Sequence, residues 1–145
     1  MMLTLVITLG TIAYHVVMRL LVGAIYNSVM HNKADYRKQW YQVSEYEMNI
    51  YRKMRVKKWK NLMPTYDSDI FDPRKRTWDQ IAQATCQAEL VHETIAVLSF
   101  TPVFAGIWLG GYTAFIVTSI LASLFDLMFV VIQRYNRYRI MKLIK

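Results

Sequence analysis

Glu89, His92 and Glu93 stand three and four residues apart in AELVHETIAVLSF (residues 88–100), a stretch that then turns wholly apolar. On a helix this spacing brings the three side chains to one face. A histidine with a carboxylate one turn away suits general-base catalysis. The acid orients the imidazole and stabilises its protonated form while the ring takes a proton from a hydroxyl. E-x-x-H also occurs in helical-bundle di-iron sites, but those need two such motifs and further glutamates. Here there is one motif and three histidines in all, His15, His31 and His92, so no metal is expected. The single cysteine, Cys86, excludes an internal disulfide and a multi-cysteine metal site. Phosphate-binding glycine loops and the G-x-S-x-G elbow are missing too, and no cofactor is expected.

The elements that position these residues are read from hydropathy. The chain has 145 residues and 54% hydrophobic composition, high for a soluble domain. Residues 94–125 carry no charge and hold Gly110-Gly111 near their middle. One helix of that length would reach about 48 Å, too long for a hydrocarbon core of about 30 Å. Two spans meeting at the glycines fit, about 86–109 and 111–133, with a first span at about 2–27. The first segment lacks a basic start and a small-residue cleavage site, so it is expected to be retained. The predicted class is an all-α integral membrane protein of three transmembrane helices, forming one domain over residues 1–145.

Of the 18 Lys and Arg, twelve lie between Lys33 and Arg76, five between Arg134 and Lys145, and the last is Arg19. By the positive-inside rule the N-terminus is outside; residues 28–85 and the tail 134–145 are cytoplasmic. The net charge of +8 is then a membrane-surface feature, and nucleic acid is not an expected partner. Within the cytoplasmic region, Ser44 and Glu47 have capping-box spacing, Val43 can staple against Met48, and Pro64 ends the segment. A basic amphipathic interfacial helix is expected there, with Trp59 at the boundary. Asp72 and Pro73 resemble a second helix start, running on into the second span.

Counting inward from the outer ends levels the polar residues of the three spans. At 1.5 Å per residue His92 lies about 27 Å in, Asp126 about 23 Å, Gln133 about 33 Å, His15 about 21 Å and Arg19 about 27 Å. With Glu89, Glu93 and Arg134 they converge on one layer near the cytoplasmic interface. Ionisable groups at such depth are costly and face a bundle interior or a watery cavity. Arg19 pairing with Asp126 or Glu93 would pin the bundle; a polar pocket accounts for the whole layer.

Three blocks then carry a resemblance: VKKWKNLMP (residues 56–64), AELVH (residues 88–92) and VIQRYNRYR (residues 131–139). In order and spacing the chain resembles the glycosyl-4,4'-diaponeurosporenoate acyltransferase family, small bacterial membrane proteins, over about residues 36–142. Matching positions are Glu47, Tyr51, Lys58, Trp59, Lys60, Pro64, Glu89, His92, Gln133, Arg134, Tyr135, Asn136, Arg137 and Arg139. Asp126 and Met128 stand where the family would have Asn and Pro. Glu93 replaces an aromatic, and Tyr138 a proline.

The resemblance implies transfer of a fatty acyl group from a cytoplasmic acyl thioester, on CoA or a carrier protein, to a hydroxyl of a membrane glycolipid or glycosylated isoprenoid such as a carotenoid. His92 would be the base, oriented by Glu89, with Asn136, Gln133 or a nearby cation on the oxyanion. Lys58, Lys60, Arg134 and Arg137 would hold donor phosphates. Trp59, Tyr135, Arg19, Asp126 and Glu93 complete the expected binding residues, and Asp126 and Glu93 bear on the acceptor. The other reading is a non-catalytic membrane subunit or lipid-binding partner whose polar layer fixes helix packing. Gly106/Gly110 and the Ala114/Thr118/Ala122 stripe are small-residue patterns suited to a homo-oligomer in a bacterial cell membrane.

Overall fold

The computed structural model describes residues 2–65 and 67–144 and is all-helical over them. Three segments are long and apolar enough to cross a membrane: Met2–Met30, Trp78–Leu109 and Tyr112–Met141. We number the helices α1 (Met2–Met30), α2 (Glu45–Lys53), α3 (Val56–Trp59), α4 (Trp78–Leu98), α5 (Thr101–Leu109) and α6 (Tyr112–Met141). The expected span limits move as a result. α1 continues to Met30, the second span begins at Trp78 rather than near residue 86, and the expected tail is helical up to Met141.

α1 suits an apolar solvent. Thr8 and Thr11 return their hydroxyls to the carbonyls of Thr4 and Ile7, both at 2.8 Å, so neither donor faces lipid unpaired. Leu3, Leu9, Leu20 and Ile25 stay exposed along it, as hydrocarbon-facing side chains do. Its packed side, Met18 and Val22, meets Ile95 of α4. α4 and α5 are one span interrupted at Ser99-Phe100. Pro102 has no N–H to offer the Leu98 carbonyl four residues back. The Tyr14 hydroxyl supplies that bond instead, at 2.8 Å, and ties α1 to the break.

Gly110 and Gly111, at φ 69° and 72°, turn the chain from α5 into α6. A side chain on Gly106 would meet the Tyr112 ring at 2.9 Å, so this glycine serves the turn within one chain. α6 then runs back along α4, burying Phe115, Ser119, Asp126, Val130, Gln133 and Arg137 against it. These residues recur at helical spacing and form one stripe.

The segment between the first and second spans departs from expectation. Ser44 does cap α2, accepting the Glu47 N–H at 3.1 Å. The Glu47 side chain, however, bonds Arg134 instead of reaching back to complete a capping box. The expected continuous basic helix is broken at Arg55, which sits in the left-handed region at φ 55° and starts the one-turn α3. The break lets Met48, Tyr51 and Val56 pack together on Tyr135 of α6. Asp72 is not a helix cap either: it accepts the Arg74 N–H at 2.9 Å and pairs with that guanidinium. Thr77 and Gln80 form the reciprocal capping box that opens α4.

Candidate active site

Asp126, on the buried stripe of α6, is 1% exposed and sits between two partners from different helices. Its Oδ1 lies 2.9 Å from Nδ1 of His92 on α4. Its Oδ2 accepts from the guanidinium of Arg19 on α1. An ionised carboxylate only accepts, so Nδ1 of His92 carries a proton toward Asp126, and in the neutral ring the lone pair falls on Nε2. Nε2 has no hydrogen-bond partner among the described residues. The imidazole also stacks on Phe129, one turn beyond Asp126, with ring centroids 4.5 Å apart and planes 9° from parallel. A hydrogen bond at one edge and a ring on one face leave the imidazole a single orientation. At this site Arg19, Asp126 and His92 do meet in one layer, as counting along the spans indicated. His15 lies one turn from Arg19, and both of its ring nitrogens are buried without a partner among the described residues.

Glu89 does something other than orient His92. It is fully buried, and its two oxygens accept from Arg134 Nη1 at 2.6 Å and from Arg137 Nη2. The orienting carboxylate is Asp126, which a sequence reading confined to one helix cannot find. Arg134 further donates from Nε to Glu47 at 2.5 Å, and from Nη2 to Glu47 at 3.0 Å and the Gln42 carbonyl at 2.9 Å. Its remaining donor meets the Trp40 carbonyl at 3.1 Å. All five N–H groups of a guanidinium are thereby engaged. Arg137 is 1% exposed and donates from Nε to the Tyr41 carbonyl at 2.9 Å. Arg134 has no donor left for a phosphate, and Arg137, although only three of its five N–H groups are engaged, is too deeply buried to meet one. Together with Glu89 and Glu47 they clamp α4, α6, α2 and residues 40–42.

The remaining expected site residues separate by depth. Asn136 lies ten residues beyond Asp126, about 15 Å along the helix axis, too far for an oxyanion formed beside His92. Its Oδ1 instead accepts from Lys60 Nζ at 2.7 Å. Gln133 lies between those levels, and its Oε1 is buried with no partner among the described residues. Arg19, with its side chain 29% exposed, is the cation at the level of His92. Tyr135 is buried in the cluster of Met48, Tyr51 and Val56, and Trp59 packs on the edge of that cluster with its indole N–H on the Met54 carbonyl at 3.0 Å. Lys58 is exposed, and Glu93 is half-buried with no ion pair among the described residues.

Phe129 was not foreseen. The available signal was an aromatic three residues after an intramembrane aspartate, on the same helical face.

No curated protein and no solved structure matches this chain. A family model described as glycosyl-4,4'-diaponeurosporenoate acyltransferase matches residues 37–145. The match takes in α2 to α6 with His92, Asp126 and Glu89, and leaves α1 with Arg19 outside it. Because it covers most of the chain, the protein belongs to the glycosyl-4,4'-diaponeurosporenoate acyltransferase family.

Proposed function

We propose that this protein moves a fatty acyl group from an acyl thioester to a hydroxyl of a glycosylated, membrane-embedded lipid, with His92 as general base. The observation that carries the reading is the Asp126–His92 hydrogen bond, which orients the imidazole among apolar helices and leaves Nε2 without a partner among the described residues. Nε2 takes the proton of the acceptor hydroxyl as its oxygen attacks the thioester carbonyl carbon. The tetrahedral intermediate collapses, the C–S bond breaks, and the thiolate leaves with the proton returned by the imidazolium. Arg19, already bound to Asp126, retains N–H donors for the oxyanion. Asp126 keeps the imidazole oriented and balances its charge when protonated.

The orientation we propose puts the N-terminus outside and the basic end, with Lys58 and Lys60, on the cytoplasmic side. The thioester then arrives from the cytoplasm while the acceptor lies in the inner leaflet. Ala114, Thr118 and Ala122 remain available for contact between copies, a role Gly106 has given up to Tyr112.

The alternative, a non-catalytic subunit, is favoured by the Glu89 clamp, which is a packing device. It gives no role to an oriented histidine whose Nε2 has no partner among the described residues. The two separate in an assay of purified protein in vesicles, with acyl-CoA and a glycolipid acceptor. His92→Ala is expected to cut turnover by about 100-fold or more while the protein stays folded. Full activity in that variant would sink the assignment.

A further inference from the structure

The cations of the basic end are not equivalent. Arg134 and Arg137 are committed to Glu89, Glu47 and backbone carbonyls. Lys60 and Arg139 have no carboxylate partner among the described residues, and neither do Lys57 and Lys58. Yet Lys60 and Arg139 are held close together. Lys60 Nζ lies 5.5 Å from the centroid of the Tyr135 ring, and the Arg139 guanidinium carbon lies 6.0 Å from the same centroid. Burial first, then the charges of Arg139 and Lys57, pushes the Lys60 ammonium below the usual lysine range. Lys60 is fixed rather than waving in solvent, because Asn136 accepts its hydrogen bond at 2.7 Å. Like charges gathered around one aromatic ring, with no carboxylate partner among the described residues, form an anion site by their mutual arrangement.

Its distance from His92 says which anion. Asn136 and Arg139 lie ten and thirteen residues beyond Asp126, about 15 Å and about 20 Å along α6. Asn136 follows Phe129 by seven residues and so lies two turns further along the side of α6 that carries the His92 ring. In a phosphopantetheine thioester about thirteen bonds separate phosphorus from sulfur, and at about 1.2 Å per bond, the rise of an extended backbone, this is about 16 Å. A phosphate seated at Lys60 is thus about one extended arm, measured along α6, from the level of His92.

We infer that Lys60 and Arg139, arranged about Tyr135 and anchored through Asn136, bind the phosphate of a phosphopantetheine thioester whose arm lies along α6 toward His92. The inference rests on the acyl-transfer reading above. CoA and a carrier protein both present this group, so the site recognises what they share.

Two measurements separate the site from the reaction. Binding of CoA to the protein in neutral phosphatidylcholine nanodiscs is measured by calorimetry for wild type, Lys60→Gln, Arg139→Gln and the double variant. Each single change should weaken binding about tenfold, the loss expected for one charge-assisted hydrogen bond. Free phosphopantetheine should compete with CoA, and dephospho-CoA should bind nearly as well as CoA. If phosphopantetheine fails to compete while CoA binds, the site reads the nucleotide and the inference is overturned. Lys60→Arg retains charge and restores binding, which guards against a misfolded Lys60→Gln.

The second measurement compares an acyl-CoA with the same acyl group on N-acetylcysteamine, which lacks the phosphate. Wild type should prefer the CoA donor in kcat/KM by at least about tenfold, and the ratio should collapse toward one in the double variant. An unchanged ratio overturns the site. Flotation on phosphatidylglycerol vesicles lost in the variants, with CoA affinity intact, marks the cations as lipid headgroup ligands only and also overturns it. CoA bound tightly through Lys60 and Arg139 with no acyl transferred leaves this site standing and removes the reaction instead.

Discussion

At the scale of the residue, the decisive object is the Asp126 carboxylate, shared by two helices besides its own. Asp126 is 1% exposed and the Arg19 side chain is 29% exposed, so the two partners do not suffer equally when separated. Arg19→Leu strands a carboxylate in apolar surroundings and should destabilise the fold by about 3–5 kcal/mol. Asp126→Asn strands a guanidinium whose long stem lets it reach a wetter level, and should cost less. Arg19→Leu with Asp126→Asn removes both charges and should cost less than the sum of the single changes. Thermal unfolding of the three variants in one detergent measures this, and additive losses would show the pair is not coupled. Asp126→Asn also retains an oxygen that accepts from Nδ1 of His92. Acyl transfer should therefore survive better in that variant than in Asp126→Leu.

At the scale of the element, the Glu89 clamp explains how the short helix α2 is held to the long helices α4 and α6. Glu47 of α2 is the outermost member of the network and the one outside the spans. Burial pushes its carboxyl up, but hydrogen bonds from Arg134 and Tyr51 outweigh this and hold it below its ordinary value of 4.5. A depressed folded-state pKa means that the clamp contributes fully above pH 4.5 and is lost as pH falls through the lower folded value. The protection factors of the α2 amides should thus fall on acidification below that point, while Glu47→Gln should show low protection at all pH values. Protection that does not change with pH in the wild-type protein would show that α2 is held by the Met48 and Tyr51 contacts alone. Glu89→Gln, by the same logic, should lower stability at neutral pH far more than His92→Gln. It uncovers a guanidinium that is 1% exposed, whereas His92 gives up one hydrogen bond.

At the scale of the whole molecule, the arrangement places one end rich in Lys and Arg and one end made of the Gly110-Gly111 turn. In whole cells a membrane-impermeant maleimide should label Leu109→Cys, which is exposed at that turn, and should reach Asn61→Cys only after permeabilisation. The reverse pattern would invert the proposed orientation. The native Cys86 is buried and should not react in either case. Sequence alone determined the class of this protein. Three spans, the chain reversal at Gly110-Gly111 and the common depth of Arg19, His92 and Asp126 follow from hydropathy and a fixed rise per residue, both local quantities. The blocks around Trp59, His92 and Tyr135 likewise carried the family. Partnership inside the layer was decided only by tertiary structure. Glu89 and Asp126 are both acids near His92 in depth, and the rotation of α6 against α4 delivers one to the histidine and the other to two arginines. The same holds for the cations. Arg134, Arg137, Lys60 and Arg139 look alike in a string of basic residues, but Glu89 and Glu47 pair with the first two, while the others have no carboxylate partner among the described residues. Helical spacing sets which side chains share a face; only packing sets what that face meets, because it depends on contacts between residues far apart in the chain.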